Sequence, residues 1–216
     1  AHQTGNREQA SNLLSRATKA QPENIEAHFN LGVTYLDQGL PEKAVAALEA
    51  ALALDPENFS CLVNFGNALI TAGQFEDAIE QSMRALKIDA NCVEAHSNLS
   101  QALAKTGDLT GAMKASRRAI LLRPEDGRLF NNLGIIEQAI GLLDNANRTY
   151  RRALEIDPNC HLAERNLLIN TLNLPQQSSD DLYQIPQDFG RKYDRSSFDQ
   201  HRFQGRDRDI NRKLRV

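Results

Sequence analysis

The sequence predicts an all-α solenoid of repeated helix pairs, and three observations predict it. The first is a period. Glycine recurs at 5, 39, 73, 107 and 141, and alanine at 10, 44, 78, 112 and 146, both in steps of 34 residues; a fixed period of this size marks a repeat architecture. The second is punctuation. Proline stands at 22, 56, 124 and 158, with Ala90 in the remaining slot, and proline stops helices. The third is that, between these marks, apolar residues recur three and four positions apart, as one face of a helix requires.

Residues 1–24 hold the second helix of an incomplete unit, with Ala1 falling inside that unit's first helix. Residues 25–58 show the logic of a full one. In 25–38, "IEAHFNLGVTYLDQ", Ala27, Leu31, Thr34 and Tyr35 share a helical face. Gly39 ends this helix, because glycine takes the left-handed turn at little cost. Residues 42–54 form a second amphipathic helix with Ala44, Leu48, Ala51 and Leu52 inward, and Asp55-Pro56 stops it. Small residues at 32, 44 and 51 let the two helices approach closely. One pair cannot bury its own apolar face, so stability is expected from stacked neighbours. The same register gives units 59–92, 93–126 and 127–160. Residues 161–174 then supply a capping helix of the first type, ended by Leu174-Pro175. A second alanine series (17, 51, 85, 119, 153) and Leu31, Phe65, Leu99, Leu133 and Leu167 hold the same step.

Composition narrows the function classes. The 216 residues are 41% hydrophobic and 25% charged, as in ordinary soluble domains. No run approaches the roughly 18 apolar residues of a membrane span, so no membrane partner is expected. The start, "AHQTGNREQA", is polar, has no initiator Met and is unlike a secretory signal; a fragment is expected. Cys61, Cys92 and Cys160 have no CxxC spacing and fit structural roles in a reducing compartment. That points to a cytoplasmic protein, or a nucleocytoplasmic one in a eukaryote. His28 and His96 stand 68 residues apart at a packing position and are expected to pack, with no metal site. No Ser or Cys has a partner base in the pattern, so no catalytic residue is expected. Charge is uneven: residues 191–216 carry nine Lys/Arg against four Asp, while the rest is net acidic. The interleaved aspartates and the acidic array argue against nucleic acid as a partner.

The unit resembles the tetratricopeptide repeat. The motif residues are Leu31-Gly32, Tyr35, Ala44, Leu48, Ala51 and Pro56, and the resemblance covers residues 1–174. His28, Leu62, His96 and Phe130 stand where the family often has Trp, and Ser100 replaces the second Gly. The resemblance implies a right-handed superhelix whose first helices line a concave groove. Asn30, Asn64, Asn98, Asn132 and Asn166 match the groove-facing position before the Leu. An amide donates and accepts at once, so such a ladder would hold the backbone of an extended peptide. Glu26, Asn67, Gln101, Arg128 and Asn131 would add selectivity. The alternative is that these asparagines bond neighbouring helices, and both readings stand at this point. A clamp for a chaperone's C-terminal carboxylate finds Asn67, Asn98 and Arg128 in place, but Val63 and Asn132 occupy two of its cationic positions. Self-association through the ends of the array is a further expected partner mode.

Residues 175–216 break the period. Ser179 and the acidic residues after it suit a helix start, although Pro186 would kink that linker helix; a basic tail follows. Asp180-Asp181-Leu182, Phe189-Gly190-Arg191-Lys192-Tyr193 and Lys213-Leu214-Arg215-Val216 resemble, in order, the linker of O-linked N-acetylglucosamine transferases and SPINDLY-type glycosyltransferases. This resemblance implies that the array selects protein substrates for a transferase domain beyond Val216, which would use a UDP- or GDP-sugar donor. The chain itself would then hold neither catalytic residues nor a cofactor. The alternative is a stand-alone scaffold for protein–protein interaction.

Overall fold

In the computed structural model, residues 2–173 are described, with side chains from Arg7 onward. The described residues form ten α-helices and no strand: α1 (His2–Ala20), α2 (Ile25–Asp37), α3 (Pro41–Leu54), α4 (Phe59–Thr71), α5 (Phe75–Ile88), α6 (Val93–Thr106), α7 (Leu109–Leu122), α8 (Gly127–Ala139), α9 (Leu143–Ile156) and α10 (His161–Leu172). Residues 2–171 belong to one compact unit. The expected linker helix and basic tail lie outside the described residues. No described helix is long and apolar enough to cross a membrane.

Local chemistry sets the helix ends. Gly39, Gly73, Gly107 and Gly141 all take positive φ, between 69° and 93°. After α2, the Gly39 amide donates to Leu36 O and the Leu40 amide to Tyr35 O, the paired bonds that close a helix at a left-handed residue. At the start of the first helix of each pair a side chain takes up a free amide. Asn24 accepts from Ala27 N, Asn58 from Cys61 N and Asp126 from Arg128 N. Cys92 does the same with its sulfur, 3.4 Å from Ala95 N.

The beginning of the chain differs from the sequence reading. The register puts Ala1 in a first helix and a separate second helix within residues 1–24; instead α1 runs unbroken from His2 through Gly5 to Ala20. Continuing the helix through one glycine costs only about 1 kcal/mol.

Packing within a pair follows from small residues facing larger ones. A Cβ on Gly32 would stand 2.5 Å from Leu48 Cγ, and one on Gly134 would stand 2.4 Å from the Tyr150 ring. Ala44, Leu48, Ala51, Ala78, Ala85, Ala112, Ala119, Ala146 and Ala153 are fully buried. Between pairs, one cluster unites Ala51, Leu52, Cys61, Leu62, Ala85, Cys92 and Ala95 from α3 to α6. The core is therefore a chain of small clusters, each shared by neighbouring units.

Candidate binding groove

Each first-type helix carries its asparagine six residues into the unit, so α4, α6 and α8 turn successive members the same way. A groove of about 370 Å³ runs across them. From α4 it is lined by Val63, Asn64 and Asn67, and from α6 by Glu94, Ser97, Asn98 and Gln101. Arg128, Leu129, Asn131 and Asn132 of α8 continue it, and Cys160 and Leu162 close the far side. Asn64, Asn98 and Asn132 of the five-member ladder thus meet in one groove with Asn67, Gln101, Arg128 and Asn131. Asn30 and Asn166 are not among its walls, and Glu26 is exposed on α2.

The ladder residues do different work. Asn98 is buried and its Nδ2 donates to Val63 O of the preceding first-type helix at 3.0 Å. Asn166 Nδ2 donates to Asn131 Oδ1 across the same kind of junction. Asn64 Nδ2 donates back to Ser60 O within its own helix. The side chains of Asn67 and Asn132 have no hydrogen-bond partner among the described residues. Gln101 Nε2 leans on Ser97 at 3.3 to 3.4 Å. The groove therefore keeps free amide donors and acceptors beside apolar side chains.

Its charges come in pairs. Arg123 Nη1 meets Glu94 Oε1 at 2.7 Å. Arg128 donates through Nε and Nη2 to the two carboxylate oxygens of Asp126 at 3.0 and 2.8 Å, which fixes the guanidinium plane. The Arg128 hydrogen bond is the main cause that holds the Asp126 carboxyl below its ordinary value. For Glu94, burial pulls upward most strongly, but the Arg123 hydrogen bond and charge with nearby backbone donors outweigh it, and its carboxyl also lies low. Both carboxylates are charged at neutral pH.

The histidines expected in the core are only half-buried. His28 Nε2 lies 3.0 Å from Pro22 O, and His96 Nε2 lies 3.0 Å from Ala90 O. A carbonyl oxygen only accepts, so these nitrogens carry the proton and tie each helix start to the preceding loop. All three cysteines are free and buried; burial, with Asp55 nearby, pushes the Cys61 thiol up to about 11. Among the described residues no group of His, Cys, Asp and Glu is gathered to hold a metal.

Three features were missed in the sequence. The helix caps at 24, 58, 92 and 126 follow the 34-residue step and could have been found from it. Arg84 Nη2 donates to Pro56 O and Arg118 Nη2 to Asn91 Oδ1, strapping second-type helices to the preceding loops. Asn170, fully buried, donates to Leu143 O and Asn147 Oδ1, both at 2.7 Å, and so pins α10 to α9. Nothing in the local pattern marks that last contact.

Family models described as tetratricopeptide repeat match residues 2–59, 35–97, 93–126 and 127–160. Among solved structures, MamA is 26% identical with a TM-score of 0.63, over 73% of this chain and 92% of that one. YrrB, described as a TPR protein with an unusual peptide-binding site, is 22% identical with a TM-score of 0.61, over 76% and 84%. The thermophilic TPR protein TTC0263 of Thermus thermophilus is 21% identical with a TM-score of 0.66, over 79% and 93%. A search of curated proteins found no match.

Proposed function

The chain belongs to the tetratricopeptide repeat family, and from that premise we propose that it is a protein-interaction scaffold whose groove holds an extended segment of a partner. One observation carries this reading: Asn67 and Asn132 stand on the groove wall with their amides unpartnered. An amide left without a partner in a groove is a ready donor and acceptor for a peptide backbone. The similarity to YrrB, described by its peptide-binding site, supports the same reading. The role needs no cofactor in this chain, and a cytoplasmic setting suits its three free thiols.

The narrower glycosyltransferase reading rests on residues 175–216, outside the described residues, and on a domain beyond Val216. The family models cover the repeats alone, and YrrB and TTC0263 are described as TPR proteins. The scaffold reading is therefore adopted. Peptide-array binding tests it, comparing the full chain with a variant carrying Asn64→Ala, Asn67→Ala and Asn132→Ala. Lost binding with an unchanged melting temperature supports it. Undiminished binding at the same sequences removes the asparagines from the site.

A further inference from the structure

Two observations together restrict what the groove accepts. The first is charge closure. Glu94, Arg123, Asp126 and Arg128 line the groove, and they form two ion pairs at 2.7 and 2.8 Å. With both pairs formed, the four charged side chains on the groove wall sum to zero, and each arginine already has a carboxylate beside it. An incoming carboxylate or ammonium gains no net opposite charge.

The second is a change of polarity along one register. Val33, Asn67, Gln101, Ile135 and Ile169 share one repeat position, each step being 34 residues. In the middle, Asn67 and Gln101 line the groove. One and two units farther the register presents Ile135 and Ile169, each 46% exposed. Ile169 stands two turns along α10 from Leu162, which lies on the groove wall and is 55% exposed. Residues seven apart share a helix face. Isolated exposed aliphatics are ordinary on a protein surface. Here the register sets Ile135 and Ile169, one and two units on, at the position where Gln101 lines the groove, and Leu162 stands on its wall, so the three together mark an aliphatic shelf at that end.

We propose that the groove selects an extended, uncharged polar segment, internal to its partner's chain, that carries an aliphatic side chain seated on the shelf of Ile135, Leu162 and Ile169. This rests on the scaffold reading above. The amides of Asn64, Asn67 and Asn132 bond the polar stretch, and the shelf fixes its register. The ordering cost of a flexible segment makes the binding weak.

An immobilised synthetic library of random linear peptides, made with free and with amidated C-termini, tests this on the full chain. The expected binders are rich in Ser, Thr, Asn and Gln, poor in Asp, Glu, Lys and Arg, and carry Leu, Ile or Val near one end. The two C-terminal forms should bind alike. Changing that aliphatic residue to Ser should weaken the best binder about tenfold, and so should Ile135→Ser or Ile169→Ser in the protein. The two changes combined should lose little more than one, because they remove one contact. Binders rich in charge, a preference for free carboxylates, or fully additive losses would overturn the selectivity and leave the scaffold reading intact. Failure of every library peptide to bind would overturn both.

Discussion

Asn98 and Asn132 hold one position in successive units, yet their surroundings separate them. Asn98→Ala takes from Val63 O its second donor, the first being its own helix amide, and leaves a buried gap. The lost hydrogen bond and the gap together cost about 1–2 kcal/mol, and the better helix propensity of Ala returns at most ~0.7 kcal/mol. Urea unfolding should show a net loss of about 1 kcal/mol. Asn132→Ala removes no hydrogen bond within the protein, so the same experiment should show no loss, while peptide binding falls. The ion pairs make a second residue-scale prediction. Glu94 and Asp126 sit below their ordinary values of 4.5 and 3.8. Carboxyls depressed by folding stabilise the folded state above those values. That contribution disappears as pH falls through the lower folded-state values. Melting temperature should therefore drop as the medium is acidified below about pH 4.5, and Glu94→Gln with Asp126→Asn should flatten the drop. Asp126→Asn keeps a side-chain oxygen for the Arg128 amide, so the helix cap survives the test.

At the scale of the element, the facing residues in a pair are coupled in size. Position 32 faces 48, and position 134 faces 150, so Gly32 accommodates Leu48 and Gly134 accommodates Tyr150. Tyr150 is fully buried and its hydroxyl donates to Gln138 Oε1 at 3.0 Å; burial, with Glu137 nearby, pushes its pKa up to about 12. Gly134→Ala should cost about 1–3 kcal/mol through overpacking, despite the gain in helix propensity. Adding Tyr150→Phe should not relieve it, because the ring itself is the obstacle; Tyr150→Leu should relieve part. Thermal melts of the four proteins decide this. These elements were largely legible because their ends are written in short-range chemistry: Gly39, Gly73, Gly107 and Gly141 for the turns, Asp55-Pro56 and Asp157-Pro158 for the stops. The period also brought Asn64, Asn98 and Asn132 to one face. It did not show that Asn98 bonds Val63 O, that Asn170 reaches Asn147, or that Arg123 meets Glu94. Those contacts depend on how far one unit is rotated on the next, which no single unit encodes. The helix through Gly5 escaped for another reason: one glycine inside a helix costs only about 1 kcal/mol and does not by itself end it.

For the repeat array as a whole, stability passes through the interfaces between units. No cluster of buried side chains spans all of them. The largest joins α3 to α6 through Leu52, Cys61, Leu62 and Ala85, with Leu62 only 1% exposed. Clusters farther along hold fewer long aliphatics: Val93, Ala119 and Leu129 in one, Ala153, Cys160 and Ala163 in another. In such a quasi-one-dimensional array, coupling between neighbours decides whether the chain unfolds as one body. Leu62→Ala should cost about 2–5 kcal/mol, and the loss falls on the junction that ties 25–58 to 59–126. Once that coupling drops below the stability difference between the two sides, unfolding should separate into two transitions. Urea titration followed by hydrogen exchange should then show amides of α8, α9 and α10 opening at lower urea than those of α2 and α3. The unaltered protein should open them closer together. Leu129→Ala, in a leaner cluster, provides the control: it should lower the midpoint of the later helices and leave α2 and α3 nearly unchanged. A single sharp transition in both variants would mean that coupling exceeds what these small clusters supply. The groove, whose walls come from α4, α6, α8 and the start of α10, would then be held rigid by the whole array rather than by its own units.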